Sequence, residues 1–62
     1  MEIDYNNSVI NEDGNVSIVG IINNKNFKLN VSFGRGFVFD EYNNLTDKEQ
    51  TTIIYEYQDT IL

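Results

Sequence analysis

Apolar and polar positions alternate with a period of two over much of the first two thirds of the chain. Phe27, Leu29, Val31 and Phe33 are apolar, and Lys28, Asn30 and Ser32 between them are polar, which predicts a strand with one buried face. The preceding run, residues 16 to 23, places Val16, Ile18 and Ile22 on one face and Ser17, Val19 and Ile21 on the other. Turn residues join these runs. A hairpin tip at Asn24-Lys25 sets Val16 opposite Phe33, Ile18 opposite Val31, Gly20 opposite Leu29 and Ile22 opposite Phe27, with every apolar side chain on one side. Asp13-Gly14 is a type I′ turn signal that places Val9 opposite Ile18 and Tyr5 opposite Ile22. Gly34-Arg35-Gly36 suits a three-residue hairpin loop with a left-handed glycine, which sets Phe33 against Phe37 and Val31 against Phe39. Three turns thus agree on one apolar face.

The period changes near residue 46. Thr46-Asp47-Lys48-Glu49 has the capping-box spacing, with Leu45 before it able to staple the turn. On a helical wheel Gln50, Ile53, Ile54, Tyr57 and Ile61 form one stripe, with Lys48, Thr52, Tyr55, Glu56 and Asp59 opposite. Thr51 to Tyr57 is also rich in β-formers, so a fifth strand is the competing assignment; the capping box favours the helix. The expected class is α+β: a four-stranded antiparallel meander followed by one C-terminal helix (ββββα), a single small domain over residues 1–62, the helix packed on the apolar side of the sheet.

Composition narrows the chemistry. The chain has no Cys and no His, and only four Lys plus Arg against ten Asp plus Glu, a net charge of −6. Disulfides, zinc sites built on Cys or His, and nucleophile or base chemistry on those residues are excluded. A phosphate-tracking nucleic-acid binder would need clustered cations, so no direct nucleic-acid binding is expected. Hydrophobic residues at 40% and aromatics at 13% suit a folded core. Ten Asn residues, most of them between apolar runs, suit turns that need left-handed backbone, and equally an AT-rich coding sequence. Met1-Glu2-Ile3-Asp4 resembles no signal peptide and no apolar run approaches a membrane span, so a cytoplasmic protein is expected, with the Asn-x-Ser/Thr triplets at Asn6, Asn15, Asn30 and Asn44 unglycosylated.

Each candidate chemical motif has a simpler structural reading. Gly34-Arg35-Gly36 offers backbone and one Arg to an anion but lacks the third Gly, the Lys and the following helix of a phosphate loop. Asn11 to Asn15 lacks the alternating ligands and closing Glu of a calcium loop. The carboxylate pairs Glu12-Asp13 and Asp40-Glu41 fall at turns, where burial cannot separate their acidities. Ser8, Ser17 and Ser32 have no His to activate them. No catalytic, cofactor-binding or metal site is expected, and the protein is read as a non-enzyme.

What remains is surface. Tyr42 and Tyr55, with Asp40, Glu41, Glu56 and Asp59, make a candidate partner surface, since Tyr is enriched at interfaces and acidic groups steer toward basic partners. A domain this short buries little apolar area, and Phe37-Val38-Phe39 lies at an edge without a guarding Lys or Pro. The second sheet face is expected to expose Ile10, Val19, Ile21 and Val38. Together Ile10, Val19, Ile21, Phe37, Val38 and Phe39 are the candidate dimer surface, through strand addition or face packing, and a homodimer is expected.

A chain of 62 residues with net charge −6, no Cys and ten Asn resembles the tiny acidic proteins by which phages block host defence, such as anti-restriction, anti-CRISPR and Hachiman anti-defence proteins. The resemblance is one of profile, so no residue role is carried over. It implies a phage or prophage inhibitor that binds a host antiviral defence protein directly, one acting on nucleic acid such as a nuclease or helicase. A small phage structural or accessory oligomerisation module is the alternative, and a small-ligand sensor using the Gly34-Arg35-Gly36 loop is a third reading.

Overall fold

A computed structural model describes residues 1–11 and 14–61, Thr60 and Ile61 in backbone only. Five strand segments form one antiparallel sheet, followed by a helix. They are β1 (Glu2–Ile3), β2 (Val9–Ile10), β3 (Asn15–Ile22), β4 (Lys25–Ser32), β5 (Phe37–Asp40) and α1 (Asp47–Ile61). The sheet order is β1-β3-β4-β5, with β2 also pairing along β3. The chain is α+β, and α1 covers one face of the sheet, here called the inner face.

The β3–β4 hairpin turns at Asn23-Asn24, so Val16 faces Val31, Ile18 faces Leu29, Gly20 faces Phe27 and Ile22 faces Lys25. The expected tip at Asn24-Lys25 is displaced by one residue, which moves every pair by two. Two adjacent left-handed residues explain the choice: Asn23 and Asn24 have φ of 49° and 65°, a conformation asparagine tolerates and lysine does not. Because the displacement is even, the apolar residues keep their face.

The β4–β5 connection differs by an odd step. Phe33 to Gly36 form a four-residue turn, Gly36 taking φ 65°, and Ser32 faces Phe37, Asn30 faces Phe39, Val31 faces Val38 and Leu29 faces Asp40. Phe39 is therefore not on the side of Ile18 and Val31, as a three-residue loop would require. Phe37 and Phe39 lie on the outer face and Val38 on the inner one.

The N-terminal strand is broken in two. Val9 faces Ser17 and Ile10 faces Val16, whereas Glu2 faces Ile21 and Ile3 faces Gly20. Neither the expected Val9–Ile18 pair nor the Tyr5–Ile22 pair forms. Asp4 to Ser8 arch out of the ladder between β1 and β2. The amide of Asp4 still donates to the Val19 carbonyl at 2.8 Å, and the Val19 amide finds the Ser8 hydroxyl at 3.2 Å. That hydroxyl stands in for the carbonyl the arch removes from the ladder, keeping the backbone satisfied. Asp13 of the expected type I′ turn lies outside the described residues; Gly14 has φ 81°, and Asn11 donates to the Asn15 carbonyl at 2.8 Å.

The core comprises Ile3, Val16, Ile18, Ile22, Phe27, Leu29 and Val31 from the sheet with Ile53 and Tyr57 from α1, and Leu45 and Ile54 pack against it. Gly20 makes this possible. A Cβ there would strike the backbone oxygen of Glu2 and come within 2.9 Å of the Phe27 ring, so only glycine lets β1 and Phe27 close over β3. On α1 the exposed side holds Lys48, Thr52, Tyr55, Glu56 and Asp59, as the wheel predicts.

Candidate interaction surface

The most constrained polar group is Glu49, whose side chain is buried where α1 starts. The capping box forms in full: Thr46 Oγ1 accepts from the Glu49 amide at 3.1 Å, and Glu49 Oε1 accepts from the Thr46 amide at 2.8 Å. Glu49 also reaches the β3–β4 turn. Lys25 Nζ donates to Oε1 and Asn23 Nδ2 to Oε2, both at 2.7 Å. Lys25 above all, then the Thr46 amide and Asn23, hold this carboxyl down at about 2, against an ordinary 4.5. Its geometry is that of a structural tie, since each of its oxygens is already occupied within the chain. The spacing of Thr46 and Glu49 reveals the cap; the reach to Lys25 is tertiary and had no local signal.

The candidate partner residues divide between faces. Asp40 points to the inner side, where Oδ1 accepts from the Asn43 amide at 3.1 Å and Oδ2 from the Leu45 amide at 2.8 Å. It shapes the loop into α1, helped by Asn43 at φ 53°. Glu41 follows on the outer side, its Oε2 accepting from Asn30 Nδ2 at 2.8 Å. Asn30 Oδ1 in turn accepts from Ser17 Oγ at 2.7 Å, so a polar line crosses the outer face from β3 to Glu41. Tyr42 is exposed just past β5, and Tyr55, Glu56 and Asp59 line the exposed side of α1. Asp40 and Glu41 therefore do not present one carboxylate pair.

The candidate dimer residues divide as well. Val19, Ile21, Phe37 and Phe39 lie on the outer face, while Ile10 pairs with Val16 and Val38 with Val31 on the inner one. The expectation that Ile10 and Val38 belong to the second face is corrected by the broken first strand and the four-residue turn. Ile10 is the most exposed of the candidate dimer residues, at 65%, and all three apolar residues of β5 are exposed: Phe37 57%, Phe39 51% and Val38 38%.

Among the described residues no group of Asp and Glu could hold a metal ion. No helix of the described residues is long and apolar enough to cross a membrane. Tyr5, at the arch, stacks on Tyr57 with ring centroids 6.3 Å apart, sealing that end of the core. Compared with known proteins, the chain matches no family model, no curated protein and no solved structure.

Proposed function

We propose that this protein is a phage or prophage inhibitor that binds a host antiviral defence protein by direct contact, as a homodimer, acting in the host cytoplasm by occupancy and without catalysis. The observation that carries the reading is where the aromatic side chains lie. Of four Phe and four Tyr, only Phe27 and Tyr57 are buried; Tyr5, Phe33, Phe37, Phe39, Tyr42 and Tyr55 are all exposed. Apart from Tyr5, which stacks on Tyr57, these side chains lie outside the core, and rigid aromatic side chains give contact area at small entropic cost. The net charge of −6 favours encounter with a basic partner, as the surface of a nuclease or helicase would be. Imitation of a phosphate row is the weaker mechanism, because Asp40, Glu41 and Glu49 are already engaged by their own chain.

The test uses bacterial strains that each carry one defined antiviral defence system, challenged with phage in the presence and absence of the protein. Restored plating in one strain, with that system's protein co-purifying on the tagged chain, is the expected result. Unchanged plating in every strain, with only virion proteins recovered, would replace the reading with the phage accessory oligomerisation module, which the unguarded edge at β5 also fits.

A further inference from the structure

We propose that β5 pairs antiparallel with β5 of a second copy about a two-fold axis through Val38, joining two sheets into one; this rests on the homodimer reading above. The strand is its own complement. Centred on Val38, an antiparallel pairing puts Phe37 opposite Phe39 of the second copy, twice, and Val38 opposite its own equivalent. Directly opposed residues share a face, so the four phenylalanines form two cross-strand aromatic pairs on the outer face.

The backbone is set for this register. The Glu41 amide donates to the Lys28 carbonyl at 2.9 Å, which makes Lys28 and Glu41 a hydrogen-bonded pair. By the alternation of the ladder, Phe37 and Phe39 also turn their amides toward β4, and Val38 turns its N–H and C=O to the free edge. Two Val38 residues across a two-fold axis would exchange both bonds. β5 holds no Lys and no Pro, and its one charged side chain, Asp40, is turned into the loop before α1, where it accepts from the Asn43 and Leu45 amides.

Charge selects the orientation. Arg35 precedes the apolar triplet, and Asp40-Glu41 follow it. Among the described residues Arg35 has no ion pair, the one salt bridge being Lys25–Glu49 at 2.7 Å. In the antiparallel pairing the turn that carries Arg35 comes to the end of the strand at which Asp40 and Glu41 of the second copy lie, so opposite charges meet at both ends. A parallel pairing would bring Arg35 onto Arg35 and carboxylates onto carboxylates. A four-residue strand makes a small interface, so dissociation on the order of micromolar is expected.

Sedimentation velocity of the purified protein should show about twice the 7.2 kDa chain mass at high concentration and the single chain on dilution. Arg35→Glu and Glu41→Arg should each weaken the dimer by about tenfold or more, and the double variant should recover it. As the chain lacks cysteine, Val38→Cys should oxidise to one disulfide-linked dimer, because opposed Cα atoms in such a pair are about 5.5 Å apart. Circular dichroism confirms that each variant is folded. A wild-type monomer at about millimolar concentration overturns the proposal. So does a dimer in which Val19→Cys on the outer face crosslinks in place of Val38→Cys, or a double charge variant that stays dissociated. These measurements need no host protein, so loss of the dimer with plating still restored removes this inference and the homodimer, and leaves direct inhibition of a defence protein standing.

Discussion

The β3–β4 hairpin with α1 and the β5 edge are built from the same kinds of residue and put them to opposite uses. In the hairpin, Ile18, Phe27 and Leu29 are fully buried beneath Ile53, and the polar ends of the unit are tied through Glu49. In β5, three apolar residues of similar size remain exposed, and none of them belongs to the core. Phe27 and Phe39 differ in register and not in chemistry. Burial follows from what lies opposite: Phe27 sits over Gly20 and under the helix, whereas Phe39 faces Asn30 on the side of the sheet away from α1. The hairpin stabilises the fold, and the edge is available for contact.

Mutations should separate the two regions by size of effect. A domain of 62 residues is expected to have a stability of about 3–9 kcal/mol. Phe27→Ala leaves a cavity at the centre of the core and should cost about 3–5 kcal/mol, enough to unfold much of the population in a urea titration. Gly20→Ala adds one methyl against the Glu2 backbone and the Phe27 ring, and should cost about 1–3 kcal/mol, seen as a lower urea midpoint. Acid should reach the Glu49 tie. Its carboxyl is held near 2 in the folded chain against 4.5 ordinarily, so its contribution is complete above about pH 4.5 and is lost as pH falls toward 2. Glu49→Gln should flatten the stability profile across that window, with a smaller advantage at neutral pH. Phe39→Thr should change monomer stability by no more than about 0.5 kcal/mol, measured below the dissociation range. If Phe39→Thr proved as harmful as Phe27→Ala, the contrast between the two regions would be wrong.

The helix was legible because its cap and apolar stripe are local and agree with one another. The apolar face of β3 and β4 was legible too, since Val16, Ile18, Leu29 and Val31 alternate cleanly with polar neighbours. Register was less so. An even slip leaves that alternation intact, and only the need for two left-handed residues favours Asn23-Asn24 over Asn24-Lys25. In β5 the pattern carries no information, because Phe37, Val38 and Phe39 are apolar on both faces and either register fits. The break between β1 and β2 falls on the polar run Asn6-Asn7-Ser8, a signal that the Asp13-Gly14 turn outweighed. The candidate partner surface inherited the β5 uncertainty. Asp40 and Glu41 read as one acidic pair in the sequence and occupy opposite sides of the sheet, since consecutive strand residues must.

The length of the turn before β5 decides which side chains this protein shows the world. Deleting one residue between Ser32 and Phe37 would rotate the strand by half a turn, tucking both benzyl groups beside Val31 and leaving the isopropyl group of Val38 outside. A single codon could thus exchange one recognition surface for another while every side chain in the core stayed where it is.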